Sequence, residues 1–83
     1  PGSVQDVAVH AGTAFVADQR GGLQIVDVSR PEAPRLLATF DTKGYAEAIA
    51  YADGVVFVAC GDAGLELVDV SNRSAPAPLG SIA

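Results

Sequence analysis

The chain has 83 residues, 49% of them apolar, and a formal net charge of −5 from ten acidic and five basic side chains. A chain of this length forms at most one small domain, marginal on its own, and it has no apolar run near the roughly 18 residues of a membrane span. Its five cations, Arg20, Arg30, Arg35, Lys43 and Arg73, are scattered, which excludes the basic patch that nucleic acid or an anionic membrane surface would need.

The apolar residues are mainly Val, Ala, Leu and Ile, set among nine Gly and five Pro. That composition favours strands and turns over helices. Cys60 is the single cysteine, so no disulfide forms within the chain, and a lone buried cysteine usually behaves as a small hydrophobe. The chain opens on Pro1 without an initiator Met, as expected of a processed product, an excised piece of a longer chain or a recombinant one. A missing signal peptide therefore does not argue against secretion.

Ser3 to Ala11 (SVQDVAVHA) is predicted as a first strand, closed by Gly12. Thr13 to Asp18 (TAFVAD) is a second, followed by the loop Gln19-Arg20-Gly21-Gly22. Leu23 to Val28 (LQIVDV) is a third, and Ser29 to Pro34 (SRPEAP) is a turn with two prolines. Arg35 to Asp41 (RLLATFD) is a fourth. The plan then recurs. Tyr45 to Ala52 is followed by Asp53-Gly54, a two-residue hairpin signal between apolar runs. Val55 to Cys60 leads through a Gly61–Gly64 loop to Leu65–Val70, and a Pro-rich connection from Ser71 to Pro78 leads to a last strand from Leu79 to Ala83.

The recurrence is a gap-free repeat at an offset of 42 residues, with 15 identities in 41 aligned pairs. GLQIVDVSRPEAP at 22–34 returns as GLELVDVSNRSAP at 64–76. A period of about 40–45 residues holding four short strands is the signature of a β-propeller blade. The competing reading is a single eight-stranded sandwich or barrel, whose strands have one wet face and alternate apolar with polar. VVFVAC at 55–60 does not alternate, and in LQIVDV both Leu23/Ile25 and Val26/Val28 are apolar. Sheets apolar on both faces need neighbours on both sides. The expected fold class is therefore all-β, with two four-stranded antiparallel propeller blades, 1–42 and 43–83, forming one repeat unit.

Two blades cannot close a ring, since propellers have about four to eight. Identical chains are expected to complete it through a head-to-tail contact between the second blade of one copy and the first blade of the next. Three copies would supply six blades and four copies eight. A rotation that does not close would give a filament. The residues expected to carry that association are Phe15, Ile25, Val56, Phe57, Val58 and Leu67.

LQIVDVS at 23–29 and LELVDVS at 65–71, with the preceding FVAD and FVAC runs and the following Pro-containing turns, resemble the LVIVD-repeat family. The resemblance covers nearly the whole chain, twice. It implies propeller blades, commonly in large secreted or cell-surface proteins of bacteria and archaea, and hence an extracellular or cell-surface location. It supplies no shared catalytic site. Cys60 in place of Asp18, and Arg73 in place of Pro31, depart between the copies in loop regions.

Asp27 and Asp69 stand two residues before a Ser and ahead of a Pro-rich turn, which suits hydrogen bonds to the turn backbone. Asp6 and Glu47 lie early in the first strand of each repeat, where a propeller lines its channel. With Tyr45 they are the candidate cluster for a cation or small ligand, against the simpler reading of a solvated channel mouth. His10 has neither a second His nor a paired Cys for zinc, and a Cys60–His10 nucleophile pair lacks an orienting acid and an oxyanion hole. No phosphate-binding loop, dinucleotide fingerprint or nucleophile elbow occurs. The expectation is a non-catalytic scaffold without cofactor or metal, whose main partner is itself and whose loops offer a surface for protein or carbohydrate. The alternative is a ligand- or cation-binding propeller module of a larger secreted or cell-surface protein.

Overall fold

The computed structural model describes residues 3–83. Eight strands follow one another: β1 Asp6–His10, β2 Thr13–Ala17, β3 Leu23–Asp27, β4 Arg35–Phe40, β5 Ala48–Ala52, β6 Val55–Ala59, β7 Leu65–Asp69 and β8 Ala77–Ile82. They form two antiparallel sheets, ordered β1-β2-β3-β4 and β5-β6-β7-β8. The chain is all-β and has the two-blade plan that the repeat implies. Most strands end a residue or so inside the expected runs. β1 and β5 each start three residues later than expected; just before β5 the chain pairs elsewhere, since Gln19 and Ala46 exchange backbone hydrogen bonds at 2.9 and 3.2 Å, tying the β2–β3 loop to the approach to β5. The strand β8 starts two residues earlier than expected, directly after Pro76. Gly61–Ala63 forms one turn of 3-10 helix.

The turns explain the punctuation. At both β1–β2 and β5–β6 the two turn residues take left-handed backbone, Ala11 and Gly12 at φ 49° and 76°, Asp53 and Gly54 at φ 49° and 81°. That is the twist that brings two right-handed strands back together. The repeated glycine ahead of β3 and β7 has a second reason to be glycine. Gly22 sits at φ 72°, and a Cβ there would lie 2.6 Å from the carbonyl oxygen of Phe40. Gly64 has φ 88° and faces the carbonyl of Ile82 in the same way. Both third strands are bulged against the fourth, between Ile25 and Val26 and between Leu67 and Val68.

Cross-strand pairs define the faces. In the first sheet Asp6, His10, Thr13, Phe15, Leu23 and Ile25 share one face, here the front, whereas Val7, Val9, Ala14, Val16, Gln24 and Val26 share the back. In the second sheet the front holds Phe57, Leu65 and Leu67, and the back holds Ile49, Tyr51, Val56, Val58, Glu66 and Val68. The core forms where the front of sheet one meets the back of sheet two. Leu23, Ile25, Val56, Val58 and Val68 are fully buried there, with Phe15, Cys60 and Val70 nearly so. Burying each large aliphatic side chain favours folding by about 1.5–3 kcal/mol.

The β3–β4 and β7–β8 turns are held by the repeated Asp-x-Ser. Asp27 accepts the Ser29 hydroxyl at 2.6 Å and the Ser29 N–H at 2.9 Å, and lies 3.6 Å from Arg73 and 3.4 Å from Arg35. The Ser29 bonds, aided by the two guanidinium groups, hold its carboxyl below the ordinary 3.8. Asp69 is lowered in the same way by the backbone N–H of Ser71, at 2.9 Å, and by the Ser71 hydroxyl.

Two predictions follow from these turns. Gly22→Ala is expected to destabilise the fold by more than about 1 kcal/mol in urea unfolding, because the new methyl group meets backbone and φ is positive. The second concerns acid. Both aspartates are more acidic folded than unfolded, so the stability they contribute is complete above the ordinary carboxylate value of 3.8. It is lost as the pH falls through their lower folded values. The urea midpoint should drop as the pH falls below about 4, and the double variant Asp27→Asn with Asp69→Asn should flatten that dependence.

Candidate functional site

Front-on-back packing uses only two of the four sheet faces in this chain. The repeat allows each buried residue to be compared with its equivalent 42 positions away. Leu37 and Phe40 pack against the core, whereas their equivalents Leu79 and Ile82 are 55% and 69% exposed. Ile49 and Tyr51 also pack against it, whereas Val7 and Val9 are 51% and 64% exposed. The same positions are apolar in both copies and covered in only one. The front of sheet two and the back of sheet one are therefore exposed apolar surfaces on opposite sides of the pair.

The six residues expected to carry association fall on two different surfaces. Phe15, Ile25, Val56 and Val58 are buried between the two sheets of a single chain. They join blade to blade internally and offer nothing to a second copy. Phe57 and Leu67 do lie on the outer front face of sheet two, half-buried by their own neighbours. The opposite outer face carries Val7, Val9, Val16, Val26 and Leu36, and the outer front face also carries Leu79 and Ile82. The 42-residue offset would have identified them once the order of stacking was known.

The channel-side acids are not brought together. Asp6 is engaged by backbone: its Oδ1 accepts the Val7 N–H and its Oδ2 accepts the Ile49 N–H, each at 2.9 Å. The second of these bonds crosses from sheet one to sheet two, which makes Asp6 a tie between blades. Glu47 and Tyr45 share a shallow cavity of about 350 Å³ with Cys60, Gly61 and Asp62, and Asp6 does not line it. The Arg20 guanidinium stands 5.9 Å from the centre of the Tyr45 ring. Among the described residues, no three His, Cys, Asp or Glu side chains are grouped to hold a metal ion.

His10 and Cys60 are also apart in function. The His10 ring stacks on Tyr51 with centroids 4.3 Å apart, and Phe15 stacks on the same ring at 5.2 Å. Cys60 belongs to the core, with its sulfur 3.7 Å from the Val58 carbonyl oxygen and 3.8 Å from Glu66. Burial, and then the Glu66 carboxylate, push its thiol pKa up, away from a reactive thiolate. A cleft of about 270 Å³ opens at the His10 end of the seam, lined by His10, Thr13, Tyr51, Ser71 and Arg73. Arg73 donates across it to Thr13 Oγ1 at 2.7 Å and pairs with Asp27. Its polar groups bind one blade to the other.

A family model described as LVIVD repeat matches residues 1–42 and again residues 43–83. Neither the curated proteins nor the solved structures gave a match. The matched spans are the two segments that fold into the two sheets, with the Leu-x-Ile/Leu-Val-Asp motif as the third strand of each. With both copies accounted for, this chain belongs to the LVIVD repeat family, as two tandem repeats, each folded into a four-stranded antiparallel blade of the propeller type.

Proposed function

We propose that the chain is a structural unit, without chemistry of its own, that assembles with copies of itself through its two outer apolar faces into a propeller-type ring or filament. The observation that carries this reading is the mismatch in burial between equivalent positions. Leu79, Ile82, Val7 and Val9 retain the apolar character of their buried counterparts and are exposed in a single copy. Contiguous apolar surfaces of that kind mark an interaction site. The two faces differ from each other, so the association is head-to-tail, and it closes into a ring or runs on as a filament according to the rotation per copy. The Asp6–Glu47–Tyr45 cluster does not favour the cation reading, because Asp6 is already engaged by two backbone N–H groups.

Light scattering after size exclusion tests this directly. A discrete trimer or tetramer is the outcome expected for a closed ring, and a ladder of large masses for a filament. A monomer at high concentration overturns self-assembly and leaves the outer faces to further repeats of a longer chain. A sharper test uses copies with one face blocked. Val16→Glu spoils the back of sheet one, and Leu67→Glu spoils the front of sheet two. Each variant alone should be monomeric, and an equimolar mixture should form a heterodimer and nothing larger, because one good face of each kind remains. Dimerisation of either variant alone means like faces pair, and excludes the head-to-tail arrangement.

A further inference from the structure

We propose that the seam between copies keeps the register of the seam inside the chain, one blade further on, with its cross-seam polar ties exchanged for matched apolar contacts. This rests on the self-assembly proposed above and adds which residues meet. The reasoning uses the repeat as a ruler. A residue of sheet one that touches sheet two is replaced, at the next seam, by its equivalent 42 positions later. The residue it touches is replaced by its equivalent 42 positions earlier, on a second copy.

The first tie inside the chain is Arg73, which reaches from the β7–β8 connection to Thr13 Oγ1 at 2.7 Å and to Asp27 at 3.6 Å. At the next seam Pro31 of a second copy stands where Arg73 stood, opposite Val55 and Asp69. Thr13 and Arg73 change together: a hydroxyl and a guanidinium give way to two apolar side chains, while the recurring Asp69 keeps the Ser71 N–H as its donor. Had only one changed, a buried polar group would be left without its partner, which is the costly outcome.

The second tie is aromatic. Tyr51 lies on His10 and Phe15. One blade on, Val9 of the second copy faces Ala52 and Phe57. Here again an imidazole and a phenol are replaced together by aliphatic groups. Val9 is among the most exposed large apolar residues of the single copy, at 64%.

The third tie is Asp6, whose two oxygens accept Val7 N–H and Ile49 N–H. Ile49 is preceded by Ala48, which offers no carboxylate, and so depends on Asp6 from the neighbouring blade. At the next seam the roles reverse. Ala48 lies opposite Val7 of the second copy, and that Val7 N–H is already served by its own Asp6. The Val7 and Ile49 N–H groups are thus both served. One buried side-chain oxygen is without a partner among the described residues, Asp18 Oδ1. It stands at the repeat position of Cys60, which is buried in the core.

The register is tested by rebuilding the lost tie. Pro31→Arg and Val55→Thr are made singly and together, and the assembly concentration is measured by light scattering over a dilution series. In the proposed register the new guanidinium reaches both the new hydroxyl and Asp69. The double variant should then assemble about tenfold more tightly than the two single effects combined would give. It should also become salt-sensitive, whereas the wild-type seam is not. Strictly additive effects with assembly intact overturn the register and leave self-assembly standing. Independently, Val7→Cys mixed with Ala48→Cys should cross-link under mild oxidation, with neither variant cross-linking alone. Wild type is the silent control because Cys60 is buried. Cross-linking within one variant, or none in an assembled mixture, overturns the register. A monomeric wild type removes the assembly proposal beneath it.

Discussion

Each sheet of this protein is apolar on both of its faces, and everything else follows from the need to cover both. A β-sheet in a sandwich hides one face and wets the other. Here strands such as Val55–Ala59 are apolar at every position, so a single covered face is not enough. Stacking front on back, with the same orientation in both repeats, covers the inner pair of faces and leaves one front and one back face exposed on the outside. Blades that stack front to front would instead leave two faces of the same kind. Front on back is the arrangement that the proposed assembly would continue from copy to copy.

The local sequence serves that stacking by making the two sheets alike. The same glycine precedes each third strand because its backbone is left-handed and a carbonyl of the outermost strand presses against the position where a side chain would start. The same Asp-x-Ser closes the following turn. The same bulge interrupts the outer strand pair. These features set the positions of four strands relative to one another and say little about their neighbours. The neighbour-specific chemistry sits elsewhere, at Asp6, Thr13, Tyr51 and Arg73, which are among the positions where the repeats differ.

That division explains how much could be read from sequence. The strands, the hairpins and the two-blade plan were legible because they depend on period, turn residues and apolar runs, all of which are local. Which apolar faces stay outside was not legible. Phe15, Ile25, Val56 and Val58 were reasonable choices for an apolar joint, but a strand that is apolar on both sides does not reveal which side its chain neighbour will occupy. The role of Asp6 between blades was hidden for a related reason. Nothing local in the sequence shows that an acid early in the first strand places its second oxygen on the Ile49 N–H of the next sheet. Arg73 was noted as a departure from Pro31 and read as loop variation. Its partner Thr13 is 60 residues away, a separation no local pattern encodes.

The differences between the repeats have a further consequence for assembly. Two identical blades would make every seam equivalent, and a copy could then add in any order. In the proposed assembly, polar ties inside the chain and apolar contacts between copies would let a front face from blade one suit only a back face from blade two. A guanidinium brought against Val55, or a carboxylate left facing an N–H already occupied, would lose its partner, and an unpartnered polar group costs about 1–3 kcal/mol where it is buried. Specificity of this kind comes from what the wrong pairing loses more than from what the right pairing gains. In the proposed assembly, apolar contact would supply the attraction at both seams, and those non-repeating side chains that touch across a seam would decide the order. Where two tandem repeats have diverged at only some positions, those that touch across a seam carry information about pairing, and those that vary in exposed loops do not.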